Sequence, residues 1–181
     1  MSFVDALSYL NNHHDLVTAG TAILAVFISL LSIILAVCNM RMQRTHNRKS
    51  ILPIAYLSLG DYEQHVFVRL DSQGAGPMII DELSILNAET RERLGSFLIE
   101  LMPKGIAWET FFRDIRGRAL RPDQEISLIS LKGSPDDPCF IAGRDEVRRA
   151  LSKLIVRIDF HSVYEQRFTY ERALDWFARK K

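Results

Sequence analysis

From Leu16 to Met40 the chain runs 25 residues without a charged side chain, and no other feature limits its possible folds so sharply. About 20 apolar residues rising 1.5 Å each cross the hydrocarbon core of a bilayer. The centre of the run, Ala22 to Val37, is interrupted only by Ser29 and Ser32 and offers no polar face. A helix of a soluble protein keeps such a face toward water. A secretory signal carries positive charge ahead of its apolar stretch, whereas residues 1–40 here contain no Lys or Arg at all. The run predicts a transmembrane helix over 16–40.

Charge around the run sets its expected orientation. Arg41, Arg44, Arg48 and Lys49 follow it within a basic linker, residues 41–50. Lys and Arg flanking a span stay on the cytoplasmic side. The expected topology is single-pass in a cell inner membrane, with residues 1–15 outside and residues 51–181 as a cytoplasmic domain. Phe3, Val4, Leu7 and Leu10 fall at helical spacing ahead of the span and suit either a short interfacial helix or the first turns of a longer helix. Asn11, Asn12, His13, His14 and Asp15 interrupt that stretch, and the two histidines read as a solvated pair. The two cysteines, Cys38 and Cys139, share no metal or redox spacing and suit a reducing compartment.

Within the run, Thr18, Ala22, Ala25, Ser29, Ser32, Ala36 and Asn39 recur at alternating steps of 4 and 3. That period places them on one stripe of a helix. Helices in lipid associate through close approach of small residues and through interhelical hydrogen bonds. The stripe is therefore expected to mediate self-association, with Leu24, Phe27, Leu31 and Ile34 facing lipid.

After residue 50 the hydrophobic period shortens toward two. Ile51–Leu59, His65–Leu70 and Met78–Leu86 read as strands of an antiparallel meander, with Gln73–Pro77 as a turn. Thr90–Met102 carries Leu94, Leu98 and Leu101 at helical spacing and predicts a helix ended by Pro103. Ile106–Ile115 has no clear period. Arg121–Glu125 is a turn, Ile126–Leu131 a strand and Gly133–Pro138 a loop. Arg144–Leu154 predicts a surface helix. Ile155–Phe160 and Gln166–Tyr170 form a hairpin, and Glu171–Arg179 a closing short helix. Short strands with hairpins favour a mostly antiparallel, sandwich-like α+β domain with helical inserts.

Residues 41–181 carry all 23 basic and 20 of the 22 acidic residues, for a net charge of +1 over the whole chain. Such balance gives no bulk attraction to nucleic acid. No phosphate loop, nucleophile elbow or zinc motif is present, and neither catalytic residues, a cofactor nor a small-molecule substrate is expected. Gly74-Ala75-Gly76 reads as a turn rather than a dinucleotide motif. His65, His161 and Asp159 would have to converge across a sheet to bind a metal, and a structural role is the simpler reading. Asp136-Asp137, between prolines, reads as a solvated loop. Two basic clusters remain: Arg113, Arg116, Arg118 and Arg121, and the helix-spaced Arg144, Arg148, Arg149 and Lys153. The second is the candidate contact for phosphates or a partner, although interleaved acids favour solvated faces.

The order of parts resembles a known group. A single span and basic linker precede Leu70-x-x-x-Gly74-x-Gly76-Pro77-x-Ile79, Arg121-Pro122-Asp123-Gln124-Glu125 and Ile158-Asp159-Phe160. This layout is similar to bacterial membrane proteins with immunoglobulin-like domains, and among them to the transmembrane effectors of retron antiphage systems. It differs from two-span members of that group in having one span. The resemblance implies a toxin-like effector, restrained by a reverse transcriptase with its RNA–DNA product and damaging the inner membrane once released. A membrane-tethered, non-catalytic binding or scaffold module is the alternative.

Overall fold

The structure, a computed structural model, describes residues 14–178. The readings made for Phe3, Val4, Leu7, Leu10 and His13 lie outside these residues. The chain divides into two compact units, residues 1–47 and 48–181. It is α+β: one long apolar helix, then a β-rich domain.

Helix α1 spans His14–Ser50, 37 residues. It is long and apolar enough to cross a membrane, and none of its apolar stretch is buried within the protein. The basic segment 41–50 continues this helix. Nothing there opposes helix, and the Thr45 hydroxyl donates back to the Arg41 carbonyl at 3.1 Å. The stop comes from Pro53, which lacks an amide hydrogen and forces Leu52 out of helical geometry.

Among the described residues the domain contains nine strands: β1 (Ala55–Tyr62), β2 (His65–Ser72), β3 (Met78–Asn87), β4 (Arg93–Gly95), β5 (Thr110–Phe111), β6 (Ala119–Leu120), β7 (Glu125–Lys132), β8 (Leu154–Ser162) and β9 (Arg167–Ala173). One sheet has the order β1-β2-β7-β5 and the other β4-β3-β8-β9, with β6 paired to β3. All pairings are antiparallel. Helix α2 covers Pro138–Leu151, and single 3-10 turns occupy Leu98–Leu101 and Asp175–Ala178.

Alternation in β2 explains the core. Val66, Val68 and Leu70 are fully buried, while His65, Phe67 and Arg69 face the other way. The opposing sheet contributes Met78, Ile80, Ile85, Val156 and Ile158 to the same hydrophobic cluster. Each such side chain contributes about 1.5–3 kcal/mol on burial. α2 lays Phe140, Val147 and Leu151 onto this core. Its start is set by Asp137, whose carboxylate accepts the Cys139 amide at 2.9 Å, with Pro138 in the first turn.

Four expectations are corrected. The meander does not form, because the Gln73–Pro77 turn carries β3 into the other sheet. Thr90–Met102 is not a helix: Arg91 adopts φ 58°, Arg93–Gly95 pairs with β3, and only Leu98–Leu101 makes a turn of 3-10 helix. The surface helix begins at Pro138 and ends at Leu151, before β8. The second strand of the last hairpin runs on to Ala173, leaving only Asp175–Ala178 for the closing turn.

Candidate functional site

All seven seam residues, Thr18 to Asn39, lie on α1 and are exposed along it. The Ser29 hydroxyl donates to the Ala25 carbonyl and that of Ser32 to the Ile28 carbonyl, each at 2.8 Å. These bonds satisfy both hydroxyls inside the helix, so neither burdens the apolar stretch. Their oxygens retain acceptor capacity toward a neighbouring helix. Leu24, Phe27, Leu31 and Ile34 are exposed as well.

The structure separates the four basic residues of the α2 region. The Arg144 guanidinium donates to the Glu63 carbonyl at 2.9 Å. Arg148 donates to Asp61 at 3.0 and 2.5 Å and to Asp145 at 2.9 Å. Burial works against the Arg148 charge, but hydrogen bonds and attraction from Asp61 and Asp145 hold its pKa above the ordinary value. Arg144 and Arg148 thus tie α2 to the β1–β2 hairpin. Arg149 and Lys153 stand exposed, Arg149 bonding the Asp145 carbonyl at 3.3 Å.

The histidines do not converge. His65 belongs to the first sheet and His161 to the second. His161 Nδ1 lies 2.7 Å from Asp81, and Asp159 accepts from Thr169 and pairs with Arg157. His65 Nε2 lies 2.8 Å from the Ser130 hydroxyl, which donates to Glu109 at 2.7 Å. Ser130 is buried and its proton points to the carboxylate, so the trio is a structural clasp and not a nucleophile with its base. Asp137 caps α2 and is not an idle loop carboxylate.

A further surface emerges on the outer face of the first sheet. Tyr56, Tyr62, Phe67, Arg69, Arg172 and Trp176 line a groove of about 410 Å³. Gly60 creates room for it. A Cβ there would lie 2.1 Å from the Phe67 ring, its cross-strand partner. Tyr62 stacks on Phe67 with centroids 6.2 Å apart, and the Arg69 guanidinium sits 4.1 Å from the Phe67 centroid and 3.3 Å from Glu125. Arg172 reaches from β9 to the Leu57 carbonyl, and the Tyr170 hydroxyl meets the Leu57 amide at 3.4 Å. These bonds occupy the edge of β1 at Leu57, so the aromatic face, more than this edge, offers contact. Tyr, Trp and Arg dominate the binding energy of interfaces. Sequence reading missed this groove, because its residues come together only through the β1–β2 register and the return of β9. The one local signal was the second alternation set, Phe67 and Arg69 opposite Val66 and Val68.

The chain matches no protein-family model, and no curated protein sequence matches it significantly.

Proposed function

We propose that the chain is a single-span, non-catalytic membrane effector of a retron-type antiphage system. The observation that carries the anchoring is α1: an uninterrupted helix whose chargeless stretch is exposed to its full length. Twenty-five residues of helix measure about 37 Å, against a hydrocarbon core of about 30 Å. Lipid is the solvent that accommodates such a surface. The basic end of α1 favours the cytoplasmic side of an inner membrane for the β-rich domain, with the N-terminus outside. In this reading helices associate in the bilayer through the small-residue stripe. A reverse transcriptase with its RNA–DNA product restrains the protein until infection, and release lets it impair the membrane. The retron assignment rests on the resemblance in layout given above.

The alternative reading, a membrane-tethered scaffold, is favoured by the aromatic groove beside Phe67 and Arg69. One experiment separates the two. Inducible expression of the full chain is followed with a membrane-potential dye, with and without a reverse-transcriptase operon from the same locus. Depolarisation relieved by the operon supports the effector; unchanged potential and growth in both strains support the scaffold. A locus lacking a reverse-transcriptase gene removes the retron assignment.

A further inference from the structure

Residues 51–54 carry the chain into β1 across the Gln73–Pro77 turn. A Cβ on Gly74 would lie 2.3 Å from the Leu52 carbonyl oxygen, and one on Gly76 would lie 2.0 Å from that of Ile51. The Gln73 amide donates to the Ile54 carbonyl at 2.9 Å. Close backbone contact therefore fixes the entry of the chain to one pole of the sandwich.

Strand register brings two more loops to that pole. Ser162 pairs with Met78, directly after Pro77, so the tip of the β8–β9 hairpin emerges there. The Asp123 amide donates to the Ser72 carbonyl at 2.8 Å, which places the 121–124 turn beside it. Ile54, Val163 and Tyr164 are 56%, 50% and 45% exposed. Arg121 and Arg167 are exposed in this region, with Asp123 and Glu165 in the same two turns, and the Arg48 guanidinium lies 5.6 Å from the Tyr164 ring. The opposite ends of the strands carry Glu63, Glu89, Glu92, Asp136 and Asp137 together with Arg91, Lys132 and Lys153.

We infer that the entry pole is a second membrane contact, docking on an anionic lipid surface. Ile54, Val163 and Tyr164 enter the headgroup region, and Arg121 and Arg167 meet lipid phosphates. Apolar side chains beside a tyrosine and arginines match the chemistry of the bilayer interface. Reach also favours lipid. The helical residues after Met40 rise about 15 Å, and four further residues add at most about 14 Å. That tether holds the pole at high effective concentration next to the bilayer, so modest insertion suffices.

The inference rests on the membrane-anchored reading, and its test separates the two. The full chain, with Cys38→Ser and Cys139→Ser, receives one cysteine at a time by Gln166→Cys, Gln64→Cys or Phe27→Cys. Each carries an environment-sensitive fluorophore. Each is reconstituted into phosphatidylcholine vesicles with or without phosphatidylglycerol, and bromine-labelled acyl chains serve as quencher. Expected is quenching at 27 in both lipids, quenching at 166 with phosphatidylglycerol, and none at 64. Arg121→Glu with Arg167→Glu is expected to lower the docked-to-undocked ratio about 25-fold or more, at about fivefold per basic side chain. Val163→Asp with Tyr164→Asp is expected to abolish quenching at 166. An unquenched 166 label beside a quenched 27 label overturns the inference and leaves the anchor standing. Quenching at 166 that ignores both phosphatidylglycerol and the double arginine exchange overturns the assignment to anionic lipid. An unquenched 27 label overturns the anchor itself, and the docking with it.

Discussion

At Ser130 one hydroxyl satisfies two ionisable groups, donating to Glu109 and accepting from His65 in its Nε2–H tautomer. Burial penalises the His65 cation and sets its pKa below the ordinary 6.5. The Glu109 carboxylate opposes this and loses, while Arg69 and Lys132 add to it. Glu109 lies below its ordinary 4.5, chiefly because Ser130 bonds its ionised form. Both shifts act in one direction: the unfolded chain takes up a proton before the folded one does. The His65 contribution is whole above pH 6.5 and is lost as pH falls from there toward the folded pKa; the Glu109 contribution follows below 4.5. The melting temperature of the domain, followed by circular dichroism of the full chain in detergent, should therefore drop between about pH 7.5 and 5.5. His65→Gln should flatten that interval while keeping the fall at lower pH. An unchanged slope in the variant would refute this account.

At the scale of elements, the Arg148–Asp61 ion pair holds α2 alongside its apolar face. The Arg148 and Asp61 side chains are only 15% and 18% exposed, so removing one partner strands a charge. Arg148→Ala is expected to cost about 2–4 kcal/mol in urea unfolding, and Asp61→Leu with Arg148→Met much less than the sum of the single changes. Strict additivity would mean that the pair is not coupled. In α1, Ala25→Leu and Ser29→Leu put bulk into the seam and should weaken self-association at least about fivefold in an in-membrane reporter assay; Leu31→Ala, off the stripe, should leave it unaltered. How far these elements were legible depended on how local their causes are. The apolar run of α1 and the alternation of β2 and β8 are properties of consecutive residues, and both could be read directly. β5 and β6 are two residues each and exist only because β7 and β3 offer partners, a relation no local period carries. Leu94, Leu98 and Leu101 misled because their helical spacing was incidental: Leu94 is 44% exposed and Leu98 buried. The Asp137–Pro138 cap was readable as a helix start, but flanking prolines favoured a loop. The seam needed only spacing, whereas the aromatic groove needed register between distant strands.

For the whole molecule, the proposal of a membrane anchor turns on which side of the membrane would hold the sandwich, and its two cysteines make the protein its own probe. Cys139 is exposed in the first turn of α2, outside the apolar stretch. Cys38 lies near the end of that stretch, two residues before Met40, where lipid would shield it from an aqueous reagent. If basic residues 41–49 retain the domain inside, a membrane-impermeant maleimide added to intact cells should leave Cys139 unmodified. The same reagent should modify it once the inner membrane is opened. Cys139→Ser should abolish that signal, which identifies the thiol, while Cys38→Ser should leave it intact. Orientation by charge adds a second demand. Replacing Arg41, Arg44, Arg48 and Lys49 with glutamine, and adding lysines ahead of Leu16, reverses the only Lys/Arg asymmetry around the helix. That variant should expose Cys139 to the reagent in intact cells. Modification of the unaltered protein in intact cells would invert the topology and leave a cytoplasmic reverse transcriptase with no access to the domain it is proposed to restrain.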